Sequence, residues 1–231
     1  MSEPGLGRIY IWEGPVRVCH WLNMVLITTM FWTGLYIGWP LLSPSGEATH
    51  NAVMAWVRYV HFASGYLFLA VWIFRIYWFF VGNAAAKNIF RFWSPQAWKS
   101  VAAHARELLV ADPDTVQELP GQDQMARMWH GLFFTACMFM IFTGFAMYGE
   151  SNPHGWAASF TNIGLAIFGT SRAMHYCHHL VAWFFPFFVI AHLYQVFRTD
   201  ILARQGLVSS MISGYYLNWD TEPAEEGSTP S

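Results

Sequence analysis

MHYCHHLVAWFFPFFVIAHLYQVF, residues Met174 to Phe197, is the stretch whose reading decides the fold. No Lys, Arg, Asp or Glu occurs between Arg172 and Arg198, and roughly 20 consecutive apolar residues suffice to cross a bilayer as a helix. The stretch is therefore expected to span a membrane. Its histidines carry a second message, because imidazole inside hydrocarbon needs a hydrogen-bond partner or a metal. Fourteen residues separate His178 from His192. On one unbroken helix that is a rise of about 21 Å and an angular offset of only about 40°. Two ligands stacked on one face, one near each membrane surface, is the arrangement this predicts. The same arithmetic turns His179 and His175 off that face by about 140° and about 100°, so His178 is preferred over both.

Working outward, three further charge-free stretches lie between Arg17 and Glu47, Arg58 and Arg75, and Arg127 and Glu150. Arg75 is expected to snorkel toward the headgroups, so that the second span continues to Phe80. Four transmembrane helices are predicted at about 16–37, 56–80, 128–148 and 174–197. They form an all-α integral membrane domain over residues 1–219, with a loop at 82–126 and a polar tail at 220–231. The first span is too long for a signal-peptide core and is expected to be retained. Composition agrees: of 231 residues, 55% are hydrophobic and only 11% charged, against roughly 25% charged in soluble domains. A free-standing soluble globule is excluded. Nucleic acid is an unsuitable partner for a chain of net charge −2 without a basic stripe. Cys19, Cys137 and Cys177 form no C-x-x-C pair, which leaves covalent haem attachment, a zinc ribbon and a disulfide framework without ligands. A packing role is expected for all three.

Ten of the twelve basic residues, Arg8, Arg17, Arg75, Lys87, Arg91, Lys99, Arg106, Arg127, Arg198 and Arg204, fall on one side of this layout; only Arg58 and Arg172 fall on the other. The positive-inside rule then places both termini and the 82–126 loop in the cytoplasm. Within that loop an amphipathic stretch is expected from Gln96 to Val110, followed by turns at Asp112, Pro113, Asp114, Pro120 and Gly121.

Depth sorts the histidines into pairs. His20 begins helix one at the cytoplasmic end and His192 returns to that end late in helix four. His61 and His178 open their helices at the outer end. Carboxylates and C-x-x-C sulfurs are absent from these spans, and paired neutral imidazoles in an apolar bundle suit iron held from two sides in haem better than zinc. Small residues at Ala63, Ser64 and Gly65 would let a porphyrin approach the backbone. Arg17 precedes His20, and Arg58 precedes His61, by three residues, placing a guanidinium one helical turn away where it could pair a haem propionate. His130 is a possible substitute ligand. His50, His104 and His154 belong to solvated loops. His175 and His179 have the spacing of a surface metal site but no carboxylate nearby in sequence, and Gly34 with Gly38 reads as a helix-packing G-x-x-x-G.

These residues resemble the b-type cytochrome subunit of membrane-bound respiratory nickel-iron hydrogenases. The likeness runs through G-P-V-R-x-x-H-W (Gly14 to Trp21), G-E-A-T (Gly46 to Thr49), R-I-Y-W (Arg75 to Trp78) with V-G-N after it, T-G-F-A-M-Y-G-E (Thr143 to Glu150), H-x-x-H-H-L (His175 to Leu180) and S-x-M-x-S-G-Y (Ser209 to Tyr215). The resemblance implies a four-helix bundle holding two haems b, with His61 and His178 as axial ligands on the periplasmic side and His20 and His192 on the cytoplasmic side. It implies residence in the bacterial inner membrane among lipid. Its implied partners are a hydrogenase small subunit with iron-sulfur clusters and a nickel-iron large subunit, with quinone as electron acceptor. No hydrogenase active site is expected on this chain. Quinone reduction takes up protons, which makes the polar residues Asn23, His130, Gln195 and Arg198 near one membrane face its candidate site. Two rivals stand beside this reading: the diheme subunit of a formate dehydrogenase or thiosulfate reductase, and a haem-free helical transporter or anchor with hydrogen-bonded histidines.

Overall fold

The structure, a computed structural model, describes residues 7–39, 52–88, 124–203 and 206–218. The Gly46–Thr49 motif, His50, the 96–110 stretch, His104, the turns at 112–121, four of the basic residues (Arg91, Lys99, Arg106, Arg204) and the 220–231 tail lie outside the described residues.

The elements run β1 (Gly7–Tyr10), α1 (Gly14–Gly38), α2 (Val53–Val81), α3 (Ala84–Asn88), α4 (Gln124–Glu150), α5 (Ala158–Phe168), α6 (Ser171–Ala182), α7 (Phe184–Ala203), α8 (Leu207–Ser213) and β2 (Tyr215–Asn218). Four spans are long and apolar enough to cross a membrane: Gly14–Gly38, Val53–Val81, Arg127–Glu150 and Ser171–Leu202. Each exceeds the length expected from sequence. Thr170, in extended backbone, accepts a hydrogen bond from the Ala173 N–H at 3.1 Å and starts α6, the usual work of a threonine N-cap. Pro15 sits in the first turn of α1, where its missing N–H costs nothing.

The fourth span corrects an expectation. It is two helices, α6 and α7, that meet at Trp183. Pro186 is the physical reason: it offers no N–H to the Ala182 carbonyl, and its ring crowds that same carbonyl. The Trp183 N–H turns instead to Leu180 at 3.3 Å. Phase arithmetic from His178 to His192 assumes one unbroken helix, and the turn at Trp183 interrupts it.

Residue contacts divide the chain into two compact units, the first of residues 1–18, 78–131 and 190–231, the second of residues 19–77 and 132–189. The second unit has an apolar core of Cys19, Leu26, Phe68, Val71, Trp72, Cys137 and Phe185, with Phe133 stacked on Phe188 at 4.5 Å between ring centres. Arg75 corrects the snorkelling expectation, since it is buried and lies within electrostatic range of Cys19. α5 was not foreseen. It closes on α4 through a bond from the Thr161 hydroxyl to the Ala146 carbonyl at 2.7 Å, and Gly164 leaves room for the Met174 sulfur.

The first unit contains a two-stranded antiparallel ribbon that the helical reading did not anticipate, pairing Ile9 with Tyr216 and Tyr10 with Tyr215. Around it three of the quoted motifs meet as a clasp. Glu13 accepts from the Trp78 indole at 2.8 Å and from the Asn83 N–H at 3.0 Å. Asn83 donates to the Ile11 carbonyl at 2.8 Å and caps α3 by accepting from the Ala86 N–H at 2.9 Å. Arg17 donates to the Ile212 carbonyl. Gly214 ends α8 at φ 89°, and a Cβ there would stand 2.9 Å from the Trp12 carbonyl oxygen and 2.7 Å from the Tyr10 ring. Only glycine satisfies both the left-handed backbone and that approach.

Candidate functional site

The second unit encloses a cavity of about 590 Å³, inside the range of roughly 300–1,000 Å³ usual for cofactor and small-molecule sites. Residues of α1, α2, α4 and α6 line it, among them Gly34, Arg58, His61, Gly65, Gly144 and His178. Apolar walls come from Met30, Ile141, Phe145 and Tyr66. His61 is the ninth residue of α2 and His178 the eighth of α6, so two helices deliver one imidazole each at about two turns from their starts. The outer pair expected from sequence is thus brought together on one cavity.

Each of these rings is held by a threonine from a neighbouring helix. Thr33 Oγ1 stands 2.9 Å from His61 Nδ1, and Thr143 Oγ1 stands 2.7 Å from His178 Nδ1. Both hydroxyls lie in helices and give their single proton to the carbonyl four residues back, Thr33 to Thr29 at 2.7 Å and Thr143 to Phe139 at 2.8 Å. A hydroxyl that has donated can only accept from the ring, so each Nδ1 carries the proton. In its neutral form each imidazole would then keep its lone pair on Nε2, the atom left to ligate a metal. A glycine follows each threonine. A Cβ on Gly34 would lie 3.1 Å from His61 Cε1, and one on Gly144 would lie 3.7 Å from His178 Cε1.

The remaining charged and imidazole groups of the cavity are Arg58, Glu150, His175 and His179, beside the hydroxyls of Tyr66, Tyr148 and Ser151. His175 and Glu150 are in contact, Nε2 to Oε2 at 2.9 Å. That corrects the reading of His175 as lacking a carboxylate, because α4 supplies from a distance in sequence what its neighbourhood does not. Gly38 is corrected as well: a Cβ there would lie 2.9 Å from His179 Cε1. Gly34 and Gly38 make room for histidine rings rather than for a helix backbone. Among Ala63, Ser64 and Gly65, only Gly65 lines the cavity, and a Cβ on it would meet nothing within 4 Å.

The inner candidates fall in both units. His20 is in the second, edge-on to Trp21 with ring centres 5.1 Å apart. His192 is in the first, edge-on to His130 with ring centres 6.0 Å apart. Gln195 and Arg198 share the first unit with His130; Asn23 lies in the second, its Oδ1 buried without a hydrogen-bond partner among the described residues. Arg17 gives one arm of its guanidinium to Ile212, while Arg58 lines the cavity. In the first unit's ribbon, burial and then the Asp200 carboxylate push the Tyr216 phenol up to about 12.

This donor set fits haem iron. It offers two neutral imidazoles, apolar walls, an arginine for a carboxylate and an unfilled approach over Gly65. Among the described residues no cluster of three or more His, Cys, Asp or Glu could hold a bare metal ion. Sequence reasoning found His61, His178 and Arg58 but missed Thr33, Thr143 and Glu150. The signal for the threonines was present as two Thr-Gly pairs, each inside an apolar span.

Residues 11–214 match the family described as prokaryotic cytochrome b561. The chain is 39% identical over 220 residues to a protein of Rhizobium leguminosarum bv. viciae named "Probable Ni/Fe-hydrogenase B-type cytochrome subunit", covering 93% of this chain and 91% of that one. It is 37% identical to the protein of the same name in Cupriavidus necator, over 93% and 89% of the two chains. With the "Probable Ni/Fe-hydrogenase 1 B-type cytochrome subunit" of Escherichia coli K12 it shares 35% identity, over 89% of each.

Proposed function

The chain belongs to the prokaryotic cytochrome b561 family, and from that membership and the cavity's geometry we propose that it is the diheme b membrane anchor and electron-transfer subunit linking a nickel-iron hydrogenase to the quinone pool. The single observation that carries the proposal is the pair of imidazoles, His61 and His178, each held at Nδ1 by a threonine hydroxyl, on one apolar cavity. These two residues would hold the outer haem through Nε2, and Arg58 would neutralise a propionate. His20 and His192 would hold the inner haem, with Arg17 alongside. Haem b, when bound, supplies reversible one-electron chemistry at a potential set by its ligands and their surroundings.

The protein's own work is to orient, bury and insulate. The threonine bonds hold both outer rings, and Phe145, Tyr66 and Met30 give the cavity apolar walls. The positive-inside distribution puts both termini in the cytoplasm, in a bacterial inner membrane. It follows that the His61 and His178 side faces a periplasmic partner, the small subunit of a hydrogenase whose large subunit carries nickel and iron. The relatives named as hydrogenase cytochrome subunits support that partner. Quinone would meet the cytoplasmic side near Asn23, His130, Gln195 and Arg198, where polar groups can relay protons.

The test is a haem count on the purified chain, followed by His61→Ala, His178→Ala, His20→Ala and His192→Ala. Two haems b per chain are expected, with His61→Ala and His178→Ala each removing the same one. A ratio near one, or loss of different haems in those two variants, overturns the assignment. In the assembled complex supplied with hydrogen, His192→Ala should abolish quinone reduction while the outer haem still becomes reduced. Parental quinone reduction in that variant would show that electrons leave from the outer side.

A further inference from the structure

We infer that the two Thr-Gly pairs, Thr33-Gly34 on α1 and Thr143-Gly144 on α4, are matching seats that set the electron-donating strength and ring orientation of the outer haem's ligands, and so hold down its midpoint potential. The inference rests on the assignment of His61 and His178 as ligands and goes beyond it to residues that touch no iron.

Three features coincide at both seats, the second fixing the direction of the first. First, the hydroxyl accepts the Nδ1 proton of the histidine from another helix, at 2.9 Å and 2.7 Å. Second, that hydroxyl is anchored in turn, because its proton goes to the carbonyl four residues back. Its acceptor lone pair is therefore aimed by the helix rather than free to rotate. Third, the next residue has no side chain and the ring's Cε1 edge lies over it, closely at Gly34, 3.1 Å from where a Cβ would be, and at ordinary contact distance at Gly144, 3.7 Å. Packing alone would explain one such pair. It does not explain why the same dipeptide on two different helices presents the same atom to the same ring nitrogen. Nor does a threonine that already bonds its own helix need the ring.

The chemical consequence is directional. A ligating imidazole whose distal N–H is engaged by an acceptor becomes a stronger donor to iron. Stronger donation favours the more highly charged oxidised iron and lowers the potential. Thr33 and Thr143 are positioning residues in this scheme. Valine, nearly isosteric with threonine, removes the acceptor and keeps the volume, whereas serine keeps the hydroxyl.

The experiment uses the full chain in its holo form, titrated optically against potential, with Thr33→Val, Thr143→Val, the double variant and both serine variants. Each valine should shift the outer haem's midpoint potential upward, the double variant further still, and the inner haem should not move. Serine should restore the parental value. If a valine variant loses the outer haem altogether, its serine counterpart must retain that haem at the parental potential; loss in both overturns the inference. Parental potentials in both valine variants likewise overturn it and show the threonines to be packing groups. Gly34→Ala should disturb the outer haem's low-spin electron paramagnetic resonance signal more than Gly144→Ala, following the closer approach. Failure of the underlying ligand assignment reads differently, as retention of both haems in His61→Ala or His178→Ala.

Discussion

The clasp of the first unit and the cavity of the second are built from the same kind of material, short motifs rich in Gly, Asn, Thr, Arg and His, but their polar atoms end in different places. In the clasp, Glu13, Asn83 and Arg17 direct their hydrogen bonds to other parts of the same unit, closing Trp78, Ile11, Ala86 and Ile212 around the ribbon. In the cavity, His61 and His178 use one ring nitrogen on the chain and keep the other for something else. The glycines differ in the same way. Gly214 has a left-handed backbone and yields to a carbonyl; Gly34 is helical and yields to an imidazole. Motif density by itself therefore says nothing about function. What separates the two regions is the partner that the motif side chains meet: the clasp's own backbone and indole in one, the wall of a cavity in the other.

The largest effect that would break this comparison comes from alanine at those two glycines. Gly214→Ala imposes left-handed backbone on a Cβ-bearing residue, at about 1–2 kcal/mol, and overpacks against the Trp12 carbonyl and Tyr10 ring, at a further ~1–3 kcal/mol. Membrane accumulation and thermal stability in detergent should fall, while the molecules that survive keep parental haem spectra. Gly34→Ala should do the reverse, altering the outer haem's spectrum with accumulation near parental. Identical behaviour of the two variants would mean that clasp and cavity are not separable in function.

Next in size is Asn83→Ala. It removes one bond to Ile11 and the cap on α3, and at about 1 kcal/mol for each bond the loss should be about 2 kcal/mol. Thermal denaturation of the detergent-solubilised protein measures it, with the haem potentials as the internal control. A shifted outer potential in Asn83→Ala would show that the clasp reaches the cavity, contrary to the division drawn here.

The helices and the meeting of His61 with His178 on one cavity were legible because both depend on patterns that survive without tertiary context. Absence of charge over about 20 residues needs a membrane whatever the partners are, and His61 and His178 each stand about two turns into a span. The break at Trp183 was also written in the chain, as Pro186, but apolar continuity masked it. The ribbon was hidden because each strand has four residues and the two lie at opposite ends of the sequence. Glu150 and the threonines were missed because their meaning depends on a residue 25 to 35 positions away. Thr33 alone is an ordinary helical threonine bonding its own backbone. It becomes the partner of His61 only once α2 is laid beside it.

The smallest expected effect sharpens the comparison through pH. Tyr216 is 2% exposed and pairs with Ile9 in the ribbon, and burial with the Asp200 carboxylate holds its phenol at about 12, against about 10 for an exposed tyrosine. A folded-state value above the unfolded one means that the unfolded chain gives up this proton first as pH rises. Stability attributable to Tyr216 is accordingly complete below pH of about 10 and declines from there through about 12, with a loss of roughly 1 kcal/mol by about pH 11. Tyr216→Phe has no proton to lose, so its melting temperature should fall less steeply across that window than the parent's. At neutral pH the two should differ only by the phenol's own hydrogen bonding, about 1 kcal/mol or less. The difference between parent and variant cancels every group that the two share. Parallel curves from pH 9 to pH 12 would remove Tyr216 from the clasp's energetics, whereas curves that diverge only above about pH 10 would place the alkaline sensitivity of the first unit on this one phenol.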